Sequence, residues 1–189
     1  MFAGIDLSVS KKSALAFLSK NLYAKTYLVS DNELIELIKK KKPKAIGIDA
    51  PLSLPKGRKD LSKRSNIHFR KCDLELKKYG IKFFPLTIGA MRKLTLKGIK
   101  IKKKLENLGF KVFEVFPGAT YDIFRVPRKD KKKIIEFFKK QKIKLEKKEY
   151  TQDELDSIAA AFTICLYFKN KAIEIGDKSE GTIVIPKNV

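Results

Sequence analysis

The sequence predicts an α/β domain of three layers, with a mixed central sheet flanked by helices. Three observations carry this. Short apolar runs separated by polar turns open the chain, a helix-period segment from Asp31 divides them from a further apolar run at Lys44–Ala50, and an alanine-rich segment after Thr151 reads as a buried helix. At 189 residues with 43% hydrophobic content the chain suits one domain over residues 1–189. Neither a repeat nor a composition break marks a second domain.

Met1–Asp6 (MFAGID), Ser13–Ser19 (SALAFLS) and Tyr23–Val29 (YAKTYLV) form three strands in a meander. From Asp31, DNELIELIKKKK places an Asp or Asn cap before apolar residues at helical spacing, closes on lysines and meets Pro43. KAIGIDA, Lys44–Ala50, is continuous enough to be covered on both faces, as parallel strands are. Pro51–Ser65 carries two prolines, a glycine and many basic residues, and so reads as a long surface loop. Helices are expected over His68–Lys78, stopped by Gly80, and over Ile88–Leu108, stopped by Gly109. Phe110–Pro117 is a strand carrying Glu114, and Lys131–Gln141 a helix. In TQDELDSIAAAFTICLYFKN, Thr151 and Glu154 have capping-box spacing. Apolar stretches near Ile173 and at Thr182–Pro186 suggest a terminal hairpin.

Composition narrows the function. No signal-peptide pattern opens the chain and no apolar run approaches the ~20 residues that span a bilayer. Two cysteines, Cys72 and Cys165, with no CxxC spacing, argue against a disulfide framework or cysteine zinc site and fit a cytoplasmic compartment. The lone histidine, His68, leaves too few ligands for zinc and no Ser-His-Asp arrangement. Against these exclusions stands a formal charge of +22, with 43 Lys and Arg against 21 Asp and Glu. Self-repulsion of that size points to a polyanionic partner, DNA or RNA. Lysine enrichment in hot-adapted proteins is the alternative, but glutamate has not risen in step. Lys56, Arg58, Lys59, Lys63 and Arg64 in the basic loop, and the helix from Lys131, are the candidate backbone contacts; an ordinary solvated lysine face is the alternative.

The carboxylates carry the chemistry. Asp6 and Asp49 end two apolar runs in the near-duplicate phrases GIDL and GIDA. If those strands are adjacent and parallel, both acids emerge at the sheet edge where α/β proteins hold ligands; otherwise each simply ends a strand. Glu114 sits among bulky apolar residues in FKVFEVF, where a charge needs a partner or a metal unless the strand is an edge. Asp153 and Asp156 lie three apart at the start of the last helix, Asp153 also being suited to an N-terminal dipole role. Converging carboxylates repel, and oxygen-only ligands select hard ions, hence Mg²⁺ or Mn²⁺. Two such ions could serve phosphodiester hydrolysis, with Asp6, Glu114 and Asp156 as the catalytic acids.

GIDLS at Gly4, IGIDAPLSLP at Ile46, RKCDLEL at Arg70, FEVFPGA at Phe113, DELDSIAAA at Asp153 and IGDKSEGTIVIP at Ile175 together resemble a widespread prokaryotic family of predicted nucleases of RNase H fold. The resemblance spans nearly the whole chain and implies an RNase H-like fold. Within the wider superfamily the acid order looks like that of RuvC-type resolvases. That implies a metal set drawn from Asp6, Glu114, Asp153 and Asp156, with Asp49 resembling the RNase H acid at the end of its fourth strand. Arg70 and Asp73 belong to the family motif; Arg70 could bind a phosphate or form a helix-surface ion pair with Asp73. The expected function is a metal-dependent nuclease, with a homodimer compatible with duplex cleavage. A non-catalytic nucleic-acid-binding module of the same fold is the main alternative. An actin-like kinase would need a second domain and glycine-rich phosphate loops, and neither is present.

Overall fold

The structure is a computed structural model that describes residues 1–187. Strands β1 (Phe2–Asp6), β2 (Ser13–Leu18) and β3 (Tyr23–Val29) form the expected antiparallel meander. Helix α1 (Asp31–Lys41) leads to β4 (Ile46–Asp49), which pairs parallel to β1. The cap of α1 is Ser30 rather than Asp31 or Asn32: its Oγ accepts from the Glu33 backbone N–H, and Glu33 closes a capping box. After the long loop come α2 (Lys71–Lys78), α3 (Gly89–Asn107) and β5 (Val112–Val115), the last parallel to β4. Residues 68–70, expected to be helical, are extended or loop, because Asp73 accepts from the Arg70 backbone N–H and caps α2 there.

Pro117 opens a short helix, α4 (Pro117–Ile123), too short to show a helical period in the sequence. Helix α5 (Lys131–Lys140), a two-residue strand β6 (Lys144–Leu145) and helix α6 (Gln152–Tyr167) follow. The hairpin of β7 (Ala172–Asp177) and β8 (Gly181–Pro186) completes a mixed sheet in the order β6-β3-β2-β1-β4-β5-β8-β7.

Side-chain alternation divides the sheet into two covered faces. Ala3, Ile5, Ile46 and Ile48 pack with Leu34, Ile38, Ile101 and Leu105 of α1 and α3. Val115 packs with Leu155, Ile158 and Ile164 of α6, on the other face. A Cβ on Gly4 would stand 2.1 Å from the Ser157 carbonyl oxygen, and one on Gly47 would stand 2.8 Å from Ile164. The glycines of the two GID phrases therefore let α6 lie directly against β1 and β4. That contact brings the start of α6 to the strand ends carrying Asp6 and Asp49.

The start of α6 is anchored by Glu154, which is buried. Its Oε1 accepts from Thr26 Oγ1 at 2.7 Å and Lys147 Nζ at 2.5 Å, and its Oε2 from the Thr151 backbone N–H at 3.0 Å. Burial alone would raise its pKa, but Lys147, Thr151 and Thr26 together hold it down to about 2. A lowered folded pKa adds stability above the unfolded value and loses it on acidification. Glu154→Gln should therefore cost about 2–3 kcal/mol at pH 7, with the gap to wild type closing between about pH 4.5 and about pH 2 in urea titrations. A pH-independent gap would contradict this anchor.

Candidate metal and nucleic-acid site

Asp6 and Asp49 are register partners at the C-terminal ends of neighbouring parallel strands. Positions 4 and 47 face α6, so two residues further on the pleat directs Asp6 and Asp49 to the same side. Asp156, one turn inside α6, approaches from above. Burial and then the repulsion of Asp156 and Asp153 push the Asp6 carboxyl up to about 8. Asp49 is raised well above its ordinary value by burial and by Asp6 and Asp156, and Asp156 rises to about 6, chiefly by burial. The three acids feel one another, and neither Asp6 nor Asp49 accepts a side-chain hydrogen bond that lowers its pKa.

Asp156 is held by a pair of donors. Tyr121 Oη donates to its Oδ1 at 2.8 Å and Gln152 Nε2 to the same oxygen at 3.0 Å. Neither donor stood out in the sequence: Tyr121 rides on α4, whose signal was Pro117 at its first position, and Gln152 precedes Asp156 by one helical turn. Asp153 stands at the rim, bridged to Lys11 at 2.5 Å.

Glu114 lines the same cavity as Asp6 and Asp49, and its charge adds to the rise of Asp49, but it approaches from the other face of the sheet. In register it pairs with Ile48, not Asp49, so it projects to the face opposite α6. There it is bridged by Arg70, whose Nη1 and Nη2 donate to Oε2 and Oε1 at 2.6 and 2.7 Å, while the Leu52 backbone N–H donates to Oε2 at 2.7 Å. Burial raises the Glu114 carboxyl, and Arg70 opposes that rise.

Arg70 is neither a phosphate contact nor a helix-surface ion pair. It is 1% exposed. Its Nε and Nη2 donate to Asp73, Nη1 also donates to Ser53, and the rest of its fork serves Glu114. All five N–H donors of the guanidinium are thereby used, leaving none for a ligand. The isolated motif RKCDLEL could not reveal this, because Glu114 lies 44 positions away in the chain.

The other basic candidates stay at the surface. Lys56, Lys59, Lys63 and Arg64 are exposed, whereas Arg58 is half-buried and staples the loop by donating to the Asp60, Ile67 and Lys63 carbonyls. Arg58, Lys63, Arg64, His68 and Arg92 line one cleft, in which His68 Nδ1 bonds Thr87 Oγ1 at 2.9 Å. Nearer the acids, Arg128 reaches the field of Asp49 but is bridged to Asp122 at 2.5 Å.

Asp6, Asp49 and Asp156 offer oxygen donors only, in a concentration of negative charge that a hard divalent cation would relieve. Among the described residues no three acidic or soft side chains lie in closed ligand positions. The donor chemistry and charge thus fit such an ion, and its uptake would require the carboxylates to draw together.

The eight-stranded mixed sheet with helices on both faces is an RNase H-like fold. Two solved structures of RuvC from Thermus thermophilus share it. One, of RuvC itself, has a TM-score of 0.51 at 12% identity, over 89% of this chain and 95% of that one. The other, T. thermophilus RuvC in complex with a Holliday junction substrate, has a TM-score of 0.51 at 13% identity, over 89% and 94%. No protein-family model and no curated protein sequence matches the chain.

Proposed function

We propose that this chain is a divalent-cation-dependent phosphodiesterase acting on DNA or RNA, of the kind implied by the predicted RNase H-fold nucleases that its motifs resemble. The carrying observation is that Asp6 and Asp49, register partners at the strand ends of an RNase H-like sheet, lie within the field of Asp156 from the last helix, so that burial and mutual repulsion raise their pKa values. Such an arrangement weakens the fold in the absence of a cation, so a binding role accounts for it better than a structural one. The +22 charge supports a nucleic-acid substrate, as does the Holliday junction held by one RuvC structure.

Asp6, Asp49 and Asp156 would hold Mg²⁺ or Mn²⁺, with Asp153 at the rim. The bound ion would supply Lewis acidity and a more acidic water. Tyr121 and Gln152 orient Asp156 by both donating to its Oδ1. Lys56, Lys59, Lys63 and Arg64 would hold the phosphate backbone by charge alone, giving salt-sensitive and sequence-independent affinity. Glu114 is left out of this ligand set, since joining it would strand Arg70 in the core.

The open spacing of the acids favours the non-catalytic reading in one respect, and activity measurements separate the two. Purified protein is incubated with single-stranded, duplex and branched DNA and with RNA, with Mg²⁺ or Mn²⁺. We expect cleavage that falls at least a hundredfold in Asp6→Asn and in Asp156→Asn. Cleavage surviving both substitutions would remove these acids from the chemistry, and tight salt-sensitive binding with no cleavage would leave only the binding module. A cytoplasmic location and a homodimer on duplex substrates complete the proposal; cell fractionation and light scattering check them. Among the described residues no helix is long and apolar enough to cross a membrane.

A further inference from the structure

The acid cleft carries a feature that phosphodiester chemistry does not use. Asp6 and Asp49, with the Arg70–Glu114 bridge beside them, line a cavity of about 540 Å³ whose wall includes Phe83, Phe84, Leu86 and Met91. That volume suits a small ring system. Phe83 is packed edge-on against Phe69, with ring centroids 6.1 Å apart. Phe84 differs: it is 73% exposed and makes no aromatic pair among the described residues. A large apolar ring held in water inside a cleft with acids marks a place for something with an apolar face.

The occupant must also suit the charge of the chain. Lys82 lines the same cavity, is exposed, and forms no ion pair among the described residues, while the neighbouring Arg128 is already bridged to Asp122. A flat apolar face joined to an anion is the chemistry of a nucleotide. Bases inside an intact duplex are stacked and offer no free face to a side chain, whereas an unpaired base does.

We infer that the cleft receives one nucleobase lying outside the helical stack, laid against Phe84, with its phosphate directed toward Lys82. The substrate class is then single-stranded or locally unpaired DNA or RNA. This deepens the phosphodiesterase reading and rests on it only for the purpose of the acids; the base platform is measurable without cleavage.

The chain contains no tryptophan, so Phe84→Trp installs a single reporter at the platform. Emission is followed in EDTA while short single-stranded DNA, single-stranded RNA or blunt duplex of equal length is added, and affinity is read in parallel by anisotropy. Single strands should quench the emission and duplex should not, with the DNA and RNA arms assigning the preferred sugar. Phe84→Ala should weaken single-strand binding about ten- to hundredfold and leave duplex affinity unchanged. Emission unmoved by bound single strands, equal losses on both substrates, or no binding to any oligonucleotide would overturn the inference. So would a concentration-dependent blue shift without nucleic acid, which would seat a second copy on Phe84. Quenching without any cleavage in Mg²⁺ or Mn²⁺ supports the platform and removes the phosphodiesterase. Cleavage of duplexes that is indifferent to Phe84→Ala does the reverse.

Discussion

Replacing Arg70 with methionine should destabilise the protein by about 3–5 kcal/mol at pH 7, read as a lower urea midpoint at unchanged slope. Arg70 joins α2 to β5 and to the loop after β4 through the buried Asp73 and Glu114 and the half-buried Ser53. Methionine fills much of the same volume, so the loss comes mainly from two buried carboxylates left without their cation. Glu114 already has a raised pKa with Arg70 in place, and without it the rise grows. A raised folded pKa keeps its stability contribution below the unfolded value and loses it as pH climbs. The cost of Arg70→Met should therefore shrink toward pH 5. Adding Glu114→Gln should recover part of it, since the remaining group is neutral. A loss below about 1 kcal/mol in the single variant would show that the bridge is not what holds this corner together.

Asp6→Asn should act in the opposite direction on stability while removing the proposed activity. The Asp6 carboxyl titrates near 8 in the folded chain against an ordinary 3.8. Its contribution is thus fully present below about pH 4 and disappears as pH rises through about 8, leaving the wild type strained under alkaline conditions. An uncharged asparagine escapes that cost, so in EDTA at pH 9 the variant should gain on the order of 2–4 kcal/mol, or roughly 5–15 °C in Tm. The gain should vanish near pH 4. Mg²⁺ or Mn²⁺ should raise the Tm of the wild type and leave that of Asp6→Asn nearly unmoved, by linkage of binding to folding. If the variant is less stable than wild type across the whole pH range, Asp6 is a structural acid and the repulsion argument fails.

The contrast between the two residues reflects what an alternating strand makes visible. Asp6 and Asp49 announced themselves because each ends an apolar run, and the only missing fact was that β1 and β4 are parallel neighbours. Glu114 was equally conspicuous among its apolar neighbours, yet its side of the sheet depends on how β5 pairs with β4. A shift of one residue would have aligned it with Asp49, whereas the observed pairing with Ile48 turns it toward Arg70. Arg70 looked like a helix-surface cation for the same reason, its partner being remote in sequence.

Local chemistry thus determined the elements: the meander, the two GID strand ends, the Thr151–Glu154 capping box and the final hairpin all follow from side-chain periodicity and short-range hydrogen bonding. The tertiary structure alone decided which acids face one another. That choice rests on strand register, on the side of the sheet taken by α6, and on the close approach that Gly4 and Gly47 permit. It likewise placed Tyr121 and Gln152 on Asp156 and left Phe84 open beside the acids. Each of these is a contact between segments far apart in the chain, and such contacts are set by packing that no single stretch of sequence contains.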